Sequence, residues 1–197
     1  MTLRNIKSVQ KTLGLLLTVF SSTMLTPVVV ALIYQESTSL VFVASFLITG
    51  LFGLVLWLPA KKADTAIRLH EGFIIVASFW VVLALFGALP FYLLPELGLS
   101  VTNAVFESTS GLTTTGATIL TGLDELPRSL LFYRQQLQWL GGLGIVVLAV
   151  ALLPILGVGG MRLYRVESSS TIRESKFTPR QKETAKALAS IYLLLTA

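Results

Sequence analysis

Between residues 13 and 34 the chain reads LGLLLTVFSSTMLTPVVVALIY, without a single charge. A run of this length and polarity has one stable fate. It becomes a helix crossing a hydrocarbon core about 30 Å thick, where the backbone must satisfy its own hydrogen bonds. Two further uncharged runs follow, at 40 to 58 and at 72 to 94. Pro27 lies inside the first and is expected to bend it. Trp57 ends the second as an interfacial anchor and Pro59 stops it; Pro90 and Pro95 mark the exit of the third. A fourth span is expected from about residue 130 to about 157, its most apolar part being LGIVVLAVALLPIL at 143 to 156. The composition agrees. The chain is 54% hydrophobic and only 13% charged, whereas soluble domains are about 25% charged. The fold class expected is an all-α integral membrane protein. Cysteine is absent, which excludes a disulfide framework and thiolate metal sites. Arg4, Lys7 and Lys11 precede the first run in the manner of a signal peptide, but the apolar stretch is too long and no small-residue cleavage site follows.

The basic residues give the direction. The first twelve residues hold Arg4, Lys7 and Lys11, and the 35–39 connection holds none. The 59–71 loop holds Lys61, Lys62 and Arg68, and the 95–129 connection holds only Arg128. Seven lie in 157–186: Arg162, Arg165, Arg173, Lys176, Arg180, Lys182 and Lys186. By the positive-inside rule the N-terminus, the 59–71 loop and the 157–186 segment are cytoplasmic, and the 95–129 connection faces outward. A last apolar pattern, AKALASIYLLLTA, begins at 185 and reaches only half the length of a span by Ala197. A helix ending in hydrocarbon would leave carbonyls unsatisfied. This reading expects the chain to be a fragment of a longer protein.

The 95–129 connection is no ordinary hydrophilic loop. VTNAVFESTSGL, 101 to 112, reads as a helix about 18 Å long, too short to cross but able to dip in. Thr102 is its expected N-cap, with Val105, Phe106 and Leu112 on its apolar face. The segment from Thr113 to Thr118, TTTGAT, is irregular and uncharged, and the chain returns through ILTGLDELP. Span, half-helix, irregular segment and span make a re-entrant loop. Irregular backbone at membrane depth is tolerated only where it is buried in protein or lines a wet cavity. There, carbonyls and threonine hydroxyls can replace an ion's hydration shell. The carbonyl end of the half-helix favours a cation, and Gly116 can take a positive φ. The other reading of 113–118 is a polar turn in an external loop.

The remaining polar residues leave alternatives. Glu107, in the half-helix, is either a functional intramembrane acid or a hydrogen-bonding support for the backbone behind the loop. Asp124 and Glu125 either concentrate cations at an entrance or form a solvated turn. Arg134, Gln135, Gln136 and Gln138 are expected to face the loop and its neighbours rather than lipid, or else to take a direct part in what the loop does. Gly141, Gly142 and Gly144 are a packing face or a hinge. GVGG at 157–160 is a glycine-rich helix end, not a phosphate loop, and His70 is an ordinary interfacial residue.

Three stretches, FESTSGLTTTGATILTGLDELP (106–127), LFYRQQLQWLGGLGIVVLAVALLPILGVGGMRLYR (131–165) and TPRQKETAKAL (178–188), resemble the TrkH-type potassium transporters of the Trk/Ktr/HKT superfamily. The resemblance extends over essentially the whole chain. It implies two leading transmembrane helices in residues 1–71 and a first K⁺-channel-like repeat in 72–160. That repeat has an outer helix at 72–94, a pore helix at 101–112, a filter at 113–118 and an inner helix at 130–157. A cytoplasmic basic linker at 161–184 follows, then the start of a second repeat at 185–197. It implies potassium uptake across the bacterial inner membrane through a filter formed by Thr113, Thr114, Thr115 and Gly116. K⁺ would be held at Thr113 and Thr114, and Glu107 would support the filter. No cofactor beyond the transported K⁺ is implied. The implied partners are the lipid bilayer, a second copy in a homodimer and a cytosolic nucleotide-binding Trk regulatory subunit, with no nucleic acid. The tetrameric channels' filter, T-V-G-Y-G, has two glycines where TTTGAT has one, so fewer well-ordered sites are expected. Two other readings are a single-repeat channel that tetramerises and a membrane enzyme or scaffold. The second lacks a converging set of acid, base or nucleophile.

Overall fold

The structure, a computed structural model, describes residues 3–62, 69–152 and 179–196. The expectations for the middle of the 59–71 loop, for GVGG at 157–160 and for the basic linker up to residue 178 lie outside the described residues. All regular structure among the described residues is helical. Among the described residues three helical stretches are long and apolar enough to cross a membrane: Ile6–Ile33, Ser39–Ala60 and Ile74–Leu93. Two compact units are distinguished, Met1–Trp139 and Leu140–Ala197.

In the first unit the leading run is two helices, α1 (Leu3–Thr23) and α2 (Leu25–Ile33). Helix thus begins ten residues before the apolar run does, carrying Lys7 and Lys11 within it. Apolar periodicity already starts at Ile6 and Val9, and Val9 is buried. The interruption falls at Met24, three residues before Pro27. The cause is still the proline, which has no N–H for the carbonyl of Thr23 and whose ring crowds it. That carbonyl is not left bare: Gln136 Nε2 donates to it at 2.8 Å and the Thr26 hydroxyl lies 2.8 Å away.

Helix α3 (Ser39–Ala60) returns antiparallel to α1. The two backbones touch. A Cβ added to Gly53 would stand 2.8 Å from Thr18 N, and one added to Gly14 would stand 2.7 Å from Trp57 N. Small residues permit this approach, and in hydrocarbon such close packing replaces a hydrophobic driving force. Gln10 Nε2 also donates to Leu56 O at 3.0 Å. The outward side chains, among them Leu47, Leu51, Val55 and Leu58, are apolar and exposed, as lipid requires.

The third run is also divided, into α4 (Leu69–Gly87) and α5 (Leu89–Leu93), with the break at Ala88 just before Pro90. After a short 3-10 turn, Pro95–Leu97, comes α6 (Val101–Leu112). Its N-cap is Ser100, not Thr102: the Ser100 hydroxyl accepts the N–H of Asn103 at 3.2 Å. Its buried face also differs from expectation. Ala104, Glu107, Ser108, Ser110, Gly111 and Leu112 are buried, while Phe106 is 43% exposed. Small side chains let the half-helix sit tightly against its neighbours. Helix α7 (Arg128–Leu152) follows, and the most apolar part of the expected fourth span runs on past its last described residue. The core of this unit centres on Tyr133, fully buried between Phe42 and Phe91 with each ring centroid 5.5 Å away. The Tyr133 hydroxyl donates to the Gly87 carbonyl at 2.9 Å, beside the α4–α5 break.

The second unit holds the end of α7 and α8 (Pro179–Thr196). The helix starts six residues before the apolar pattern at 185, with proline at the first helical position, where its missing N–H costs nothing. A Cβ on Gly142 would collide with the Tyr192 phenol, which favours close packing for the small-residue face.

Replacing Gly53 by Val is expected to force α1 and α3 apart and to cost about 1–3 kcal/mol. A melting curve of the detergent-solubilised protein should fall by several degrees. An unchanged melting temperature would mean that the helices do not cross at this glycine.

Candidate functional site

The site is the irregular segment after α6, and its conformation follows from how the half-helix ends. The N–H of Thr115 bonds the Ser110 carbonyl and that of Thr114 bonds the Gly111 carbonyl, each at 3.0 Å. This crossed pair is a Schellman closure, which needs its penultimate residue in the left-handed region. That residue is Thr114, at φ +55°. Glycine is usual there. A β-branched residue pays roughly 1–2 kcal/mol for the conformation. Gly116, at φ +74°, supplies the second left-handed turn, and the sequence expectation of a positive φ had fallen on it alone.

From Gly116 the chain doubles back along α6. The Ser110 hydroxyl donates to the Ala117 carbonyl at 2.6 Å. One turn earlier on the same face, Glu107 Oε1 accepts both the Thr118 hydroxyl and the Ile119 N–H, each at 2.6 Å. Glu107 is only 3% exposed. Its other oxygen, Oε2, lies 3.4 Å from Nε of Arg134 on α7, so the buried charge is matched. Behind the loop a small cavity is lined by Glu107, Ser110, Gly116, Ala117, Arg134 and Gln138. Gly111 brings the helices together there, since a Cβ on it would stand 3.1 Å from Cβ of Leu137.

Both ends of the segment are therefore tied while its middle is open. Thr113, Thr114, Thr115 and Gly116 are all exposed. Among the described residues their carbonyls accept no hydrogen bond. The hydroxyls of Thr113 and Thr115 lie 2.7 Å apart, and that of Thr113 also reaches the Thr109 carbonyl at 2.8 Å. Unpaired main-chain oxygens on a pinned loop of exposed residues can replace water around a cation. Among the described residues no group of three or more His, Cys, Asp or Glu could hold a metal ion. Asp124 and Glu125 lie exposed in a 3-10 turn, Leu123–Glu125, beyond the loop.

Sequence reasoning missed Glu36. It lies in the short connection between α2 and α3 and caps α7. Its Oε1 accepts the Arg128 N–H at 2.6 Å, and Oε2 accepts the Ser129 N–H at 3.1 Å and the Ser129 hydroxyl. The Ser129 hydroxyl is also 2.7 Å from that of Thr38, and the Arg128 guanidinium lies over the Tyr34 ring at 4.6 Å. A carboxylate is favoured at a helix N-terminus. The available signal was that Glu36 is the only acid before residue 64.

The chain as a whole resembles known proteins. Residues 38–197 match the family model TrkH, described as a cation transport protein. The chain is 51% identical to the Trk system potassium uptake protein TrkH of Vibrio parahaemolyticus and 52% identical to that of Escherichia coli. Each alignment covers 96% of this chain and 39% of the relative. Its structure resembles a crystal structure of the potassium transporter TrkH from Vibrio parahaemolyticus with a TM-score of 0.82 at 48% identity. That match covers 97% of this chain and 37% of the other. The chain thus spans about two fifths of the length of the curated relatives it matches.

Two outcomes follow from the contacts. Glu107→Gln leaves the Arg134 guanidinium without its counter-charge and is expected to cost about 3 kcal/mol. Adding Arg134→Met should recover much of that loss in thermal melts. For Glu36, burial pushes the carboxyl up, but hydrogen bonds from Ser129, Arg128 and Thr38 outweigh it and hold it below its ordinary 4.5. Its stabilising contribution is therefore complete above the unfolded value and disappears as pH falls through the depressed folded one. Glu36→Gln should lower stability near neutrality by about 1 kcal/mol. The melting curves of variant and parent should converge in acid, below about pH 4.5; parallel curves down to the acid limit would contradict the cap.

Proposed function

We infer the function from one premise: this chain belongs to the TrkH family of cation transport proteins. We propose that it is the opening part of a potassium uptake protein and contributes one of four filter strands around a single pore. The carbonyls of Thr113, Thr114, Thr115 and Gly116 are the ligands, with dehydrated K⁺ held at Thr113 and Thr114. Glu107 acts as filter support rather than as a cation ligand, because both its oxygens are already committed to the loop and to Arg134. The observation that carries the reading is the contrast within one segment, between flanks fixed by hydrogen bonds and a middle whose carbonyls are unpaired.

The physical case is dehydration by dipoles. A large monovalent cation loses water at modest cost, and a ring of carbonyls replaces it without a formal charge. The carbonyl end of α6 adds its partial negative charge on the same side. In this reading α1 to α3 are the leading pair, α4 with α5 the outer helix, α6 the pore helix, α7 the inner helix and α8 the start of the next repeat. The protein sits in the bacterial inner membrane with its N-terminus in the cytoplasm. The distribution of Lys and Arg supports that orientation, and the contact of Glu36 with the start of α7 agrees with it by keeping the α2–α3 connection on the same side as the end of the re-entrant segment. A homodimer and a cytosolic nucleotide-binding regulatory subunit complete the assembly, with the basic segment 161–186 as the contact for the latter. Transport rather than catalysis is the activity, in keeping with the family's description.

In the full-length protein, Gly116→Arg would place a cation at a residue held at positive φ, where a side chain is strained. Potassium uptake by cells that depend on this protein should be abolished, with the amount of protein in the membrane unchanged. Normal uptake by this variant would overturn the filter assignment.

A further inference from the structure

The inner helix α7 is held on two opposite faces. Ser129 and Gln136 are seven residues apart, two helical turns, and so share one face over about 10.5 Å. Both meet the leading hairpin: Ser129 meets Glu36 and Thr38, and Gln136 meets the Pro27 kink. At the kink Gln136 Nε2 donates to the Thr23 carbonyl at 2.8 Å, and its Oε1 lies 2.9 Å from the Thr26 hydroxyl. Arg134 lies roughly 200° around the helix from Gln136 and meets Glu107, which in turn holds Thr118 and Ile119. Leu137 packs against Gly111 on the pore helix.

We propose that the leading hairpin is a strut for the filter, and that Gln136 is a positioning residue that fixes the rotation of α7 and so the placing of the Arg134–Glu107 pair behind residues 118 and 119. This rests on the reading of 113–116 as a selectivity filter. The hairpin itself supplies no residue to that loop. Its contribution is an acceptor, the Thr23 carbonyl, that exists only because Pro27 removes the usual helical donor. In a medium without water this carbonyl has no other ready partner than Gln136 and Thr26. The latch therefore holds where an equivalent contact in water would exchange. A carbonyl filter chooses between ions by the number and placing of the oxygens around them, so a rotation of α7 that shifts those oxygens changes which ion the filter accepts before it changes whether the protein folds.

The test uses the full-length protein in cells and compares uptake of K⁺, Rb⁺ and Na⁺. Gln136→Leu removes the latch while keeping the side chain's bulk. The expected result is near-normal protein in the membrane and a fall in the K⁺-to-Na⁺ uptake ratio of about threefold or more. Pro27→Ala is the second variant. It returns a backbone N–H to the Thr23 carbonyl, makes the Gln136 donor redundant there, and should lower the ratio in the same direction. Unchanged ion ratios in whichever of the two reaches the membrane, with only thermal stability reduced, would overturn the proposal and leave Gln136 a structural residue. The two readings fail separately. Uptake surviving Gly116→Arg sinks the filter itself, whereas uptake lost in Gly116→Arg but wild-type ion ratios in the other variants sink only the strut.

Discussion

A single buried carboxylate holds the loop in shape. Glu107 accepts two short hydrogen bonds from the returning strand and faces one guanidinium. Hydrogen bonds to a charged group contribute about 1.5–3 kcal/mol each. The left-handed Thr114 costs about 1–2 kcal/mol. The carboxylate's bonds outweigh that strain, and the Schellman closure adds two more. The loop can therefore keep a conformation that its own residues disfavour. The arrangement also decides which backbone groups remain. The N–H groups of Thr113, Thr114, Thr115 and Ile119 are used in anchoring the segment, while among the described residues the carbonyls of Thr113 to Gly116 accept no hydrogen bond. Unpaired acceptors on an anchored segment give the polarity a cation needs.

The rest of the first unit bears on that carboxylate through α7. Tyr133 seats the helix between Phe42 and Phe91 and reaches the carbonyl at the α4–α5 break. Ser129 and Gln136, four residues before and three residues after Tyr133, hold the same face of the helix, and Arg134 on the other side meets the carboxylate. Both helix breaks in the unit lie next to a proline, and at each a side chain from α7 bonds a carbonyl beside the break. Prolines that look like faults in the apolar runs thus become the points where one helix is tied to another.

How much of this was legible depends on the range of the interaction. The apolar runs and the half-helix could be read because they rest on length and local pattern. The N-cap was misplaced by two residues because Ser100 and Thr102 are both good caps, and only the path of the preceding turn decides between them. The position of the left-handed turn was half read. Gly116 advertises its freedom, whereas Thr114 is forced by a closure that propensity argues against. The buried face of α6 was read as apolar, but its neighbours approach so closely that Ala104, Ser108 and Gly111 fit there and Phe106 does not. Glu36 with Ser129, Gln136 with Thr23 and Gly14 with Gly53 are separated by 93, 113 and 39 residues. Such pairs leave no periodic trace in a single sequence. The ligand role of 113–116 was suggested by resemblance and by the absence of charge, and the unpaired carbonyls add a geometric reason.

The Pro27 kink also bears on the order in which the molecule is made. Residues 3–60 leave the ribosome well before α7 does, and the hairpin they form already contains a carbonyl that has lost its helical donor and is met within the hairpin by the Thr26 hydroxyl alone, and a carboxylate in its connecting turn. When α7 emerges some seventy residues later, it meets two acceptors already in place, with matching donors at Ser129 and Gln136. The rotational setting of the late helix is thus specified by the early one. A change at residue 23, 26 or 27 alters the surface against which the later helix docks.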